Sequence, residues 1–363
     1  MNIINFKNLG GMEMLKKFLL ITVALGLVTS VFVGCSSGST PADEKKDLVI
    51  STFGFNEDKL QENVFKPFEE EHGVKIVLET GNNSDRLTKL KNNPKSTVDL
   101  IYLAESYADQ GIEAGLFEKI DYSKIPNSEN MLDKGKVTTE SGFGPAYTLN
   151  SIGIAVNPNK VDFEINSWED LWRPELKGKI AIPNITTTFG PSMVYIAAQK
   201  AGVDISKDKG AAAFKELEKL KPNVVKTYSK SSDLANMFAS GEITVAVTAD
   251  FAYGMITNAA PEIKLITPQA GRYLNFNSIN INKNSDNKEL AYEFMNYVLS
   301  EEVQNKTAKN LSESPINKKV SLTDEESKNL TYGSTAENAN TIDYKVVNKL
   351  MTQWIDTWNR TMN

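Results

Sequence analysis

The sequence predicts an α/β protein of two lobes, each a mostly parallel sheet flanked by helices, with a cleft between them. Three observations carry this expectation. Apolar runs of strand length alternate with amphipathic runs of helix length along almost the whole chain after residue 46. That stretch is longer than one compact core usually supports, which predicts two packed units. Hydrophobic residues make up 40% and charged residues 24% of the 363. This ordinary globular usage excludes a disordered chain and a polytopic membrane protein.

The first half opens with a short buried strand at 48–51. Leu60, Val64, Phe65 and Phe68 then recur at helical spacing until Gly73 stops the helix. A strand at 74–78 follows, then a short helix capped by Ser84-Asp85 that carries Leu87 and Leu90. A third strand at 100–103 leads to a helix at 107–114 closed by Gly115. Such a βαβαβα series gives a parallel sheet whose ligand-facing loops lie at the carboxyl ends of the strands.

The same grammar repeats further on. Strands are expected at 152–156, 179–182, 224–227 and 244–248, with helices around 167–172 and at 191–201, 211–220 and 232–239. After Gly271 come a strand at 278–281, helices across 288–311 and a long terminal helix at 342–361. No repeat of fixed period appears.

The N-terminus carries a separate message. Lys16 and Lys17 precede an apolar run from Phe18 to Gly34, and Cys35, the one cysteine of the chain, follows small Gly34. This resembles a bacterial lipoprotein signal. The resemblance implies that residues 1–34 are removed, that Cys35 becomes the lipidated first residue, and that 35–46 tether the folded part to the membrane from outside the cytoplasm. With no second cysteine there is no intrachain disulfide. Net charge is −6, and an acidic surface argues against nucleic-acid binding, which relies on clustered Lys and Arg.

The stretches Asp99-Leu100-Ile101, Glu113-Ala114-Gly115-Leu116-Phe117, Ser167-Trp168-Glu169-Asp170-Leu171-Trp172-Arg173-Pro174-Glu175-Leu176-Lys177-Gly178-Lys179 and Leu220-Lys221-Pro222-Asn223-Val224 resemble the spermidine/putrescine-binding proteins of bacterial ABC importers. The likeness covers nearly the whole mature chain. Physically, the tryptophan-containing run is scaffold: Ser167 caps, Trp168 and Trp172 share a helical face, and Lys177-Gly178 turns into a buried strand.

The resemblance implies a two-lobed, type II-like periplasmic-binding fold. It places lobe 1 at 47–149 with 276–313 and lobe 2 at 150–275 with 314–363. The chain is expected to cross between lobes near 148–150, 271–275 and 312–317, and hinge closure would trap the solute. It further implies a monomer that delivers a small amine-bearing solute, a polyamine first, to a membrane permease and its ATPase, with no cofactor and no metal.

Five segments at strand ends are candidates for the site. Phe53 and Phe55 can offer a π-face to an ammonium. Asn83 lies in a polar turn. Glu105 adds a carboxylate and Tyr107 an aromatic ring after the third strand. Thr186, Thr187 and Thr188 stand before a helix opened by Pro191, where they suit a carboxylate or phosphate or serve as ordinary helix caps. Asp250 and Tyr253 follow an apolar strand, where Asp250 also serves as a simple helix cap.

Two departures from the resembled family matter. Its polyamine binders carry acids where this chain has Asn184 and threonines, and a Trp-x-Asp where it has Asn275-Phe276-Asn277. Asn275 and Asn277 therefore join the candidates, and Glu105 and Asp250 are expected to supply the missing negative charge. A thiamine-like cation, a zwitterion or a phosphonate are the alternative solutes.

Catalysis finds little support in the sequence. His72, the one histidine, sits at a helix end, and no phosphate loop, zinc cluster or Gly-x-Ser-x-Gly elbow occurs. A lipid-anchored hydrolase working through carboxylates alone is the rival reading, and a structural surface lipoprotein is a third.

Overall fold

The computed structural model describes residues 47–54 and 56–362. The signal segment, Cys35, the tether and Phe55 lie outside the described residues. The strands are β1 (Asp47–Thr52), β2 (Lys75–Thr80), β3 (Leu100–Ala104), β4 (Ala146–Val156), β5 (Ile180–Pro183), β6 (Val224–Tyr228), β7 (Val245–Ala249), β8 (Lys264–Ile266), β9 (Tyr273–Ile281) and β10 (Ser314–Pro315). They form one sheet in the order β2-β1-β3-β9-β4-β7-β5-β6, with β8 and β10 also pairing with β4.

Each end of this sheet is parallel, and its centre is not. β1 runs parallel to β2 and β3, and β5 parallel to β6 and β7. Between these blocks β9 is antiparallel to β3 and β4, and β4 is antiparallel to β7. The parallel strands β3, β5 and β7 are buried along their whole length, as strands covered by helices on both faces must be.

The two central strands are longer than the sequence suggests. Apolar runs at 152–156 and 278–281 signal only part of each, because the remainder carries polar residues. Buried polar Thr148, Ser151, Asn275 and Asn277 there alternate with core residues such as Tyr147, Leu149, Leu274 and Phe276, so no continuous apolar run marks these halves.

The helices follow the expected pattern with local differences. The first helical run passes from Glu57–Leu60 through a wide turn at Gln61–Phe65 into Lys66–His72, and Gly73 ends it at φ 66°. That left-handed conformation costs glycine nothing. Asn82, not Ser84-Asp85, caps the helix Asn83–Asn92, its Oδ1 accepting from the Asp85 amide at 2.9 Å. The helix Glu105–Glu113 begins two residues before the expected Tyr107, so Glu105 stands in its first turn.

Ser167 and Asp170 form a reciprocal capping box, but the segment Trp168–Trp172 is a 3₁₀ helix rather than an α-helix. The two indoles are consequently not stacked on one α-helical face. Trp168 Nε1 donates to Gly271 O and Trp172 Nε1 to Glu216 O, each at 2.9 Å.

Two large cores match the two parallel blocks. One gathers Leu48, Ile50, Phe65, Phe68, Leu100 and Phe294. The other gathers Trp168, Met193, Ile196, Leu217, Trp354 and Trp358, with Trp172 packed against it. The terminal helix Tyr344–Met362 belongs to the second core, yet its Asn348 Nδ2 reaches Ser106 O at 2.9 Å and Asp109 Oδ2 at 3.0 Å. His72 stacks on Phe68 at 4.0 Å and meets Glu293 at 3.1 Å. It packs at the surface end of its helix and lines neither cavity described below.

Candidate functional site

The central strands bring three chain segments side by side. Asn150 of β4 pairs in register with Asn275 of β9, and Leu149 with Ser314 of β10. These are the segments expected to cross between lobes. Successive residues of a strand project to opposite sides, and the middle of β9 divides accordingly: Asn275 and Asn277 line one cavity and Ser278 and Asn280 another, while Tyr273 at its start also lines the second.

The smaller cavity measures about 330 Å³, within the usual range for small-molecule sites. Strand ends build it. Thr52 ends β1 and Phe53 follows it, Ala104 closes β3, Thr188 and Phe189 follow β5, and Asp250 and Phe251 follow β7. Five aromatic rings face it: Phe53, Tyr102, Tyr147, Phe189 and Phe251. Tyr102 and Tyr147 pack ring to ring with centroids 4.5 Å apart. Phe251 is 42% exposed.

The electrostatics of this cavity are one-sided. Asp250 and Glu313 line it, and no lysine or arginine does so among the described residues. Burial pushes the Glu313 carboxyl up to about 7. Its charge in turn helps raise the Tyr102 and Tyr147 hydroxyls, after their own burial. No hydrogen bond or ion pair reaches the Glu313 carboxyl from the described residues. The Asn275 side chain is 1% exposed and gives its amide to Asn150 and Asn277 at 3.2 Å, while its Oδ1 has no partner. That oxygen is itself fully buried, so it is an unsatisfied acceptor within the sheet rather than a group presented to the cavity.

Asp250 is differently placed. Its Oδ2 accepts from the Ser151 amide at 3.3 Å, from Ser314 Oγ at 3.5 Å and from the Thr331 hydroxyl, and its Oδ1 accepts from the Phe251 amide at 2.8 Å. Burial raises its pKa, opposed by the Thr331 hydroxyl and by the charge of Arg272. The carboxyl thus ties β4, β10 and the Thr331 segment together.

The remaining candidates divide. Phe53 lines the cavity, but the Arg86 guanidinium already lies 4.6 Å from its ring centre. Asn83 lines it too, and its Oδ1 accepts from the Ala104 amide at 3.0 Å. Thr188 reaches it; Thr186 and Thr187 do not, because both hydroxyls turn back to Asn184 at 2.9 and 2.8 Å. Tyr107 packs beside the core of Leu87, Ile101 and Phe117. Tyr253 donates to Ile263 O at 2.8 Å. Neither tyrosine lines the cavity.

Glu105 faces the larger cavity, of about 1180 Å³, with Tyr195, Tyr273 and Tyr344. Burial first, then Asp109 and Asp343, push its carboxyl to about 8, against a hydrogen bond from the Phe276 backbone. Ala104, one residue earlier, lines the smaller cavity with Asp250 instead. Glu313, Tyr102 and Tyr147 were not among the candidates. Glu313 follows helix Glu301–Leu311 rather than one of the strong apolar strands, and Tyr102 lies inside a strand that reads as core.

Comparison with known proteins places the chain in a family. The family model described as "Bacterial extracellular solute-binding protein" matches residues 63–332. The chain belongs to the bacterial extracellular solute-binding proteins. This solute-binding protein is 67% identical to a crystallised ABC transporter protein of Clostridium perfringens, covering 87% of this chain and 100% of that one with a TM-score of 0.82. It is 28% identical over 257 residues to the spermidine/putrescine-binding periplasmic protein of Escherichia coli, covering 68% of this chain and 72% of that protein. With the putrescine-binding periplasmic protein of Pseudomonas aeruginosa it shares 27% identity, covering 80% of this chain and 82% of that protein.

The solute-binding protein also shares its fold with a spermidine/putrescine ABC transporter substrate-binding protein of Streptococcus pneumoniae, with a TM-score of 0.73 at 21% identity, covering 88% of this chain and 100% of that one. The two-lobed α/β fold and the resemblance drawn from the tryptophan-containing run both stand. The solute-binding protein therefore acts outside the cytoplasm with the components of an ABC importer. None of its described helices is long and apolar enough to cross a membrane.

Proposed function

We propose that this protein captures a small amine-bearing solute in the smaller cavity and delivers it to the permease and ATPase of the importer. Polyamines are the first class to try, since several relatives bind spermidine or putrescine by name. One observation carries the reading: the cavity is lined by five aromatic side chains and by the Glu313 carboxyl, which no described residue pairs, with no lysine or arginine among its described lining residues. Such a wall favours a cation through charge and through the π-faces.

Within this reading Glu313 is the ammonium partner, in the role that the sequence suggested for Glu105 and Asp250. Tyr102, Tyr147 and Phe251 close around the carbon chain of the ligand. The lobes 47–149 with 276–313 and 150–275 with 314–363 close on the solute about the paired central strands. The protein works as a monomer, by capture rather than catalysis, held to the membrane by lipidated Cys35 through the tether 35–46. The signal pattern and the family support these last points.

Calorimetry with a panel of mono-, di- and polyamines tests the reading. At least one amine should bind, and Glu313→Gln should weaken it about tenfold to a hundredfold, the usual effect of losing one charged hydrogen bond. Binding of neutral or anionic solutes alone, with no response to amines, would overturn it.

A further inference from the structure

We propose that the smaller cavity is built for one positive charge, so that a monoammonium solute binds more tightly than a diamine of the same length. The inference rests on the amine reading and replaces its first choice, a polyamine, with a solute of single positive charge. Glu313 is the one lining carboxyl whose oxygens take no hydrogen bond or ion pair from the described residues.

Asp250 lines the same cavity but does not supply a second free charge. Its oxygens already accept from Ser151, Ser314, Thr331 and Phe251. Arg272, 5% exposed, acts on it electrostatically. Ionised, Asp250 is offset by Arg272; protonated, it carries no charge. In neither state does it neutralise a ligand.

The aromatic end nearest β1 is no better for a second cation. Arg86 lies against Phe53 with its guanidinium 4.6 Å from the ring centre. Arg86 is itself buried and anchored to Gly81 O at 2.9 Å and Ser51 O at 3.1 Å. An ammonium placed on the cavity side of that ring would share it with a fixed like charge. A second ammonium brought into the cavity would thus lose its hydration without gaining a carboxylate.

The test compares 1-aminobutane with 1,4-diaminobutane by calorimetry, two ligands of similar length that differ by one ammonium. The monoamine should bind at least about tenfold more tightly, the scale of one uncompensated charge in a partly desolvated site. Asn277→Asp places a carboxylate on the cavity wall and should shift the preference toward the diamine by about tenfold. Equal or tighter binding of 1,4-diaminobutane to the parent protein overturns this inference and leaves the amine reading standing. An unchanged preference in folded Asn277→Asp also overturns it. Failure of both ligands and of spermidine removes the amine reading itself.

Discussion

At the scale of the residue, the carboxyls set how the protein responds to pH. Burial lifts Glu105 to about 8 and Glu313 to about 7, from an ordinary value of 4.5. An acid whose folded value is raised is favoured when neutral. Its stabilising contribution is complete below about 4.5 and is lost as pH rises toward 8 in the case of Glu105. The melting temperature should therefore fall between pH 5 and about 8, and Glu105→Gln, which keeps the neutral hydrogen-bonding shape, should flatten that slope. A parent protein whose melting temperature rises over this range contradicts the assignment. Glu105 lines the larger cavity, so the same substitution should leave amine affinity nearly unchanged.

At the scale of the element, the sequence was most legible where hydrophobicity alone decides. The buried strands β3, β5 and β7 and the helix Ala211–Leu220 were readable from apolar runs and helical spacing. The central strands were half hidden. Their polar residues satisfy one another across the sheet, as Asn275 does with Asn150, and no one-dimensional pattern records such pairing. The site was hidden for the same reason. Position after a strand pointed to Phe53, Asn83, Thr188 and Asp250, which line one cavity, but not to which side a helix start would turn Glu105. The occupied state of Asp250 depends on Ser314 and Thr331, 64 and 81 residues away along the chain. Glu313 gains its place through the short pairing of β10 with β4, two residues too brief for any periodic signal.

At the scale of the whole molecule, two cores joined through antiparallel strands favour a hinge motion, because each block keeps its own packing while the pairing between them flexes. Small-angle scattering should give a smaller radius of gyration with saturating amine than without it. An unchanged radius, with binding verified in the same sample, would mean a site that captures its solute without closing.

The placement of the indoles has an optical consequence. All four tryptophans, Trp168, Trp172, Trp354 and Trp358, belong to or pack against the second core, and none lines the smaller cavity. Tryptophan emission should consequently be nearly silent when the solute enters, while Tyr102 and Tyr147, at the cavity wall, carry the intrinsic fluorescence change. A titration followed only at tryptophan wavelengths would make a working receptor look inert. Phe251→Trp, at a ring already exposed toward the cavity, should give the protein a visible reporter of its own occupancy.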